Sequence, residues 1–120
     1  MAFLQRVDAT NTNFENSNFS KAKLNNIILQ NSNLKNANFT GVSFGNANLS
    51  KASMINTIFS NADLSMAFGL KQEQLDKACG NINTRLPLGL ILHFCNGIDS
   101  TNTLSRTLIG IGRIYTTAKA

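Results

Sequence analysis

The stretch Asn31–Ser50, "NSNLKNANFTGVSFGNANLS", decides the fold. Leu34, Phe39, Phe44 and Leu49 fall five residues apart. A helix repeats its apolar face near 3.6 residues and a strand near 2, so neither element accounts for this spacing. Followed outward, the rhythm places a large apolar residue at Phe14, Phe19, Leu24, Leu29, Leu34, Phe39, Phe44, Leu49, Met54, Phe59 and Leu64. Two residues before each of these centres stands Thr12, Ser17, Ala22, Ile27, Ser32, Ala37, Val42, Ala47, Ala52, Thr57 or Ala62, of which only Ile27 is clearly large. The remaining positions are mostly Asn, Ser, Lys, Gly or Gln. Leu4 and Ala9 are in phase and extend the frame toward the N-terminus.

Units such as "NANFT", "NANLS" and "NADLS" resemble the pentapeptide-repeat family, whose pattern is a small residue, a polar residue, Leu or Phe, and two polar residues. The resemblance covers about residues 10–70. It implies an all-β fold: a right-handed quadrilateral parallel β-helix in which one unit makes each wall of a square and four units make a coil. The physics agrees with that expectation. Alternate residues of a short extended wall point the same way, so the centre and the small residue two before it both face inward. Coils stacked about 4.8 Å apart pair their backbone groups with one another. A single unit buries nothing without its neighbours.

A coil of twenty residues stacks like upon like. Phe14, Leu34 and Met54 are expected on one wall, Phe19, Phe39 and Phe59 on the next, Leu24, Phe44 and Leu64 on the third, and Leu29 and Leu49 on the fourth. Asn16, Asn36 and Asn56 recur at one corner. Asn tolerates turn conformations and its side chains bond up a ladder, so these residues read as turn chemistry rather than recognition.

A solenoid end needs a cap. Leu70, Leu75, Ala78 and Cys79 suit one face of a short helix, Gly80 suits its stop, and Pro87 bars continuation. The segment is similar to the C-terminal region that closes many bacterial members of the family. Lys71 stands where a Thr N-cap is expected there, which weakens the helix start by about 1 kcal/mol. The expected division is a β-helix over 1–70, a capping segment with a short helix over 71–90, and a tail over 91–120. In the tail, "RTLIGIGRIYTTAKA" is open to three readings: a strand, packing on the solenoid, or disorder. Ile55 and Ile58 stand at outward positions and are expected to be covered by the tail or a second chain.

The composition bounds the function. Of the residues, 42% are hydrophobic and 14% charged, which is not the composition of a disordered chain. The net charge of +5 divides almost evenly: residues 1–69 carry +2 and residues 70–120 carry +3. Cations Arg6, Lys21, Lys23, Lys35 and Lys51 fall on different walls rather than in a stripe, and the aromatics are committed to the core. Nucleic-acid binding therefore lacks both its electrostatic footprint and a stacking platform. "MAFLQRVDAT" lacks a signal-peptide core, and "LPLGLILHF" is too short to span a bilayer. Two cysteines make no disulfide framework, so Cys79 and Cys95 are expected as reduced thiols in a cytoplasmic protein.

No site emerges. His93, Cys79 and Cys95 would offer three metal ligands, but without paired spacing or a second His. The serines occupy repeat positions, the carboxylates are scattered, and "GIGRIY" lacks the spacing and Lys of a phosphate loop. No catalytic, cofactor-binding or metal residue is assigned and no cofactor is expected. Some family members inhibit DNA gyrase by resembling duplex DNA. This chain is short and basic, so the resemblance implies the fold and not that activity. The expected function is a non-catalytic interaction or scaffold protein that binds a protein partner or itself. The alternative is a weak binder of acidic partners, nucleic acid or an anionic membrane surface, through the basic tail. An enzyme built around His93 and Cys95 would require His93 to line a pocket.

Overall fold

The computed structural model describes residues 6–95 and the strands Arg106–Ile109 and Ile114–Thr117. Its body is a ladder of parallel bridges between residues twenty apart: Asn13–Asn33–Ser53, Asn18–Asn38–Ile58, Lys23–Ser43–Asp63 and Asp8–Ile28–Asn48–Phe68. These four series are the four walls of a square solenoid, numbered one to four in the order of Asn13, Asn18, Lys23 and Ile28. On each wall the bridging residue points outward while its two neighbours point in. The inward pair therefore comprises the small residue and the centre, as the five-residue rhythm requires.

Backbone groups pair up the walls. Asn38 N–H donates to Ser17 O at 2.9 Å and Phe39 N–H to Ile58 O at 2.8 Å. The core is filled accordingly. Leu24, Leu29, Leu34, Phe39, Phe44, Leu49, Met54, Phe59 and Leu64 are all buried, whereas Phe14 and Phe19, in the first coil, are partly buried. On wall two the three rings lie over one another: Phe19 and Phe39 have centroids 5.3 Å apart and planes 4° apart, Phe39 and Phe59 5.6 Å and 10°. Ile27, the one large residue at a small position, is also buried, with Ala47 above it on wall four and Ala9 at the centre position beneath its neighbour Leu29.

The corners explain the Asn content. Asn11, Asn16, Asn26, Asn31, Asn36, Asn56 and Asn61 all hold φ between 57° and 68°, the left-handed region that Asn tolerates better than most residues. Lys21 and Lys51 hold the same conformation. Asn36 Nδ2 donates to Asn16 Oδ1 at 3.0 Å, so the expected corner ladder forms between these two coils. A second set of Asn residues, at outward wall positions, closes local turns: Asn18 and Asn38 each accept at 3.0 Å from the N–H two residues on.

After Leu64 the walls do not stop. Wall two continues from Ile58 to Cys79, and wall three from Asp63 to Arg85. The spacing widens from 20 to 21 and 22 residues because a helical turn, α1 (Gln72–Leu75), and a turn after Gly80 are inserted. The longer helix expected through Cys79 is corrected here. Only Leu75 is buried on α1, while Ala78 and Cys79 are extended on wall two. The helix begins at an extended Lys71 that offers no side-chain acceptor; Gln74 Oε1 instead accepts from Lys71 N–H at 2.7 Å.

Beyond the coils, β1 (Ile91–His93), β2 (Arg106–Ile109) and β3 (Ile114–Thr117) form an antiparallel sheet in the order β1-β2-β3. Of the three readings open for the tail, the structure has strands. The side chains that would cover Ile55 from the tail lie outside the described residues; Ile58 is half-buried and Ile55 remains 38% exposed.

Candidate interaction surfaces

A stack of coils has two ends, and they differ here. At the N-terminal end, Asn13 N–H and Asn18 N–H take part in no hydrogen bond among the described residues. One coil higher, the equivalent Asn33 and Asn38 N–H groups are bonded to Thr12 O and Ser17 O. The first coil thus presents an open β edge, with Phe14 and Phe19 partly buried behind it.

At the C-terminal end walls one and two are closed. Gln74 Nε2 donates to Ala52 O at 3.0 Å, in place of the next coil's N–H, and to Leu49 O at 2.9 Å, which also accepts from Ala52 N–H. Thr84 Oγ1 donates to Phe59 O at 2.8 Å. Gly80 occupies the centre position above Phe59, and Leu92 from β1 fills the space over it. Gly80 N–H donates to His93 O at 2.8 Å and Cys95 N–H to Gly80 O at 3.0 Å. Gln72 acts as a surrogate peptide, its Nε2 donating to Ile91 O and its Oε1 accepting from Ile91 N–H, both at 3.0 Å. Walls three and four stay open: Thr84 O and Leu86 N–H on wall three, and Ala67 O and Gly69 N–H on wall four, have no partner among the described residues, and Phe68 is 53% exposed. Met66 and Leu88 are exposed as well.

Residues 91–95 form a strap across the end of the coils. Fixing its backbone costs about 1–2 kcal/mol per residue. Burial of Leu92 and Phe94 returns about 1.5–3 kcal/mol each. The hydrogen bonds just named add about 1 kcal/mol apiece. These terms nearly cancel, so a further link decides whether the strap stays down. That link is a disulfide between Cys79 and Cys95, with Cα atoms 4.7 Å apart and a sequence separation of 16. Closing a loop of that length stabilises by about 3 kcal/mol.

A family model describing pentapeptide repeats matches residues 2–36 and 27–65 in eight copies, more than half of the chain. The chain belongs to the pentapeptide-repeat family. Its β-helical body is that of the family's solenoid. Among solved structures it is similar to the pentapeptide repeat protein Rfr23 from the cyanobacterium Cyanothece 51142, at 26% identity and a TM-score of 0.31, over 70% of this chain and 63% of that one. It is similar also to HetL, a pentapeptide repeat protein involved in heterocyst differentiation regulation from Nostoc sp. strain PCC 7120, at 19% identity and a TM-score of 0.36, over 72% of this chain and 48% of that one. A pentapeptide repeat protein from the thylakoid lumen of Arabidopsis thaliana matches at 22% identity and a TM-score of 0.20, over 63% of this chain and 59% of that one. The match thus spans less than two thirds of each of these proteins. No curated protein matches the chain.

The disulfide corrects the expectation of reduced thiols in this pentapeptide-repeat chain. Sequence alone shows two cysteines and not their distance. The fold brings them together because Cys79 lies on wall two and β1 returns across that wall's end. Both sulfurs are bonded to each other, so neither is a thiolate ligand beside His93. His93 is exposed. Among the described residues no three of His, Cys, Asp and Glu come together to hold a metal. No helix among them is long and apolar enough to cross a membrane.

Two carboxylates are perturbed. The Thr10 hydroxyl and N–H both donate to Asp8 Oδ1, at 2.6 and 3.1 Å, and lower its pKa. Burial pushes the Asp63 carboxyl up, but bonds from the Ser65 hydroxyl and N–H, at 2.7 and 2.9 Å, and the charge of Arg85 outweigh it and hold it low. Both belong to the turn chemistry of the walls. Asp8 and Asp63 repeat the geometry of Asn38 and Asn48, so they mark a scaffold position rather than an acid–base pair.

Proposed function

We propose that this pentapeptide-repeat protein is a non-catalytic interaction module whose first coil receives an extended strand of a protein partner. In this reading residues 1–70 are the scaffold body, 71–90 close its far end with α1 as part of the cap, and 91–120 form an appended tail. The observation that carries the reading is the asymmetry of the two ends. At the C-terminal edge walls one and two end under Gln74, Thr84 and the strap, while at the first coil Asn13 and Asn18 N–H have no partner among the described residues. A row of such groups is a template for strand addition. The disulfide is the argument for an oxidising compartment in place of the cytoplasm expected from free thiols.

The test is a matched pair of prolines. Asn18→Pro and Asn38→Pro each remove the same local turn bond, but among the described residues only Asn38 N–H is bonded. Partner capture and self-association, followed by pull-down and light scattering, are expected to fail for Asn18→Pro with its melting temperature close to that of Asn38→Ala. Capture that survives Asn18→Pro and collapses as salt rises would overturn this reading in favour of acidic partners at the basic tail.

A further inference from the structure

We propose that the Cys79–Cys95 disulfide is a redox-operated clasp, and that a dithiol opens it to free the Ile91–Cys95 strap and its sheet while the coils stay folded. Position argues for this. Cys79 sits at the outward position of wall two, above Ile58, so its sulfur is on the wall's surface and not in the core. Cys95 ends the strap and is exposed, which leaves its sulfur open to attack. Cys79 is half-buried, so access directs attack to Cys95 and leaves Cys79 as the departing thiolate.

The step balances. A dithiol's thiolate attacks Cys95 Sγ, the sulfur–sulfur bond breaks, and Cys79 leaves as a thiolate that takes up a proton. The dithiol's second sulfur then attacks the mixed disulfide and releases Cys95, which is protonated in turn. The protein gains two electrons and two protons and the dithiol becomes a disulfide.

The consequence is local because the bond joins the strap to the coil and crosses no other element. Walls one to four keep their own backbone ladders, such as Asn38 N–H to Ser17 O and Phe39 N–H to Ile58 O. Among the described residues the strap is held to the coils by its bonds to Gly80 and Gln72, the contact of Cys95 with Ser60, and the burial of Leu92 and Phe94. Release lifts Leu92 off Gly80 and uncovers the end of the core above Phe59 and Leu75. β1 carries β2 and β3 through its pairing with β2, so the sheet leaves with the strap.

Amide hydrogen exchange on the intact chain tests the clasp, with oxidised protein compared against protein held in dithiothreitol and then reoxidised. The amides of Gly80 and Cys95 are expected to lose protection by at least about tenfold on reduction and to regain it on reoxidation, with Leu34 and Phe39 unchanged. A Cys79→Ser/Cys95→Ser variant should match the reduced protein and ignore dithiothreitol. Undiminished protection at Gly80 and Cys95 in fully reduced protein would overturn the proposal. So would equal loss at Leu34 and Phe39, which makes the bond a staple of the whole fold, or thiols that stay oxidised in dithiothreitol under native conditions.

Discussion

Leu92 stands in for a side chain that Gly80 lacks: a Cβ on Gly80 would come within 2.7 Å of Leu92 Cδ2. Every centre below it on wall two is a phenylalanine, and the column ends by exchanging a large residue for a gap that a later strand fills. Gly80→Ala is therefore expected to destabilise by about 1–3 kcal/mol through overpacking, against Leu92 and Thr84. Urea unfolding measures it. The exposed Gly89, with nothing near its Cβ position, supplies the contrast. Its φ of 85° makes Gly89→Asn, rather than Gly89→Ala, the neutral control.

The column itself makes the second prediction. Phe39 is fully buried with Phe19 below, Phe59 above and Phe44 5.2 Å away across the core. Phe39→Ala leaves a cavity that stacked backbones cannot close and should cost about 3–5 kcal/mol. Phe14→Ala, at the open end where the ring is only partly buried, should cost visibly less. Equal losses at the two sites would mean that the first coil is not an end.

The five-residue rhythm was legible because the backbone repeats: each unit meets the same neighbours twenty residues away, so Phe19, Phe39 and Phe59 announce one another. The Asn residues were legible for the same reason, since each corner demands a positive φ. The far end was not legible because it breaks the repetition. Leu75, Ala78 and Cys79 have spacings that fit one helical face, yet α1 is a single turn and Ala78 and Cys79 continue a wall. Gly80 reads as a helix stop and is a centre with its side chain supplied from Leu92. The disulfide depends on the return of β1 across wall two, which no local pattern records. The hairpin of β2 and β3 had a signal, two β-branched runs flanking Gly110 and Gly112, but a repeat-based reading had no frame for it.

Corners held by lysine rather than asparagine carry a removable penalty. Lys51 has φ 59° and Lys21 has φ 63°, where a residue other than Gly or Asn costs about 1–2 kcal/mol. Lys51→Asn should therefore stabilise by about 0.5–1 kcal/mol. Asn46→Lys, at a corner where the preceding Gly45 takes the positive φ instead, carries no such penalty. Its cost is expected to be confined to its packing. Paired denaturation curves for the two variants check the corner assignment directly.

The last prediction concerns acid. Asp63 has its pKa lowered in the fold, so its contribution to stability is fully present above the ordinary carboxylate value of about 3.9 and is lost as pH falls through the folded value. Below that value both states are protonated and the contribution is gone. Burial acts against the shift, and the Ser65 hydroxyl is the largest opposing cause, ahead of the Ser65 N–H and the charge of Arg85. Ser65→Ala should accordingly raise the Asp63 pKa more than Arg85→Ala does, with the main-chain bond from Ser65 N–H surviving in both. Carboxyl-carbon NMR titration of the three proteins reads this order. If Arg85→Ala produces the larger rise, wall three is held by charge between its coils rather than by the local turn that each five-residue unit makes for itself.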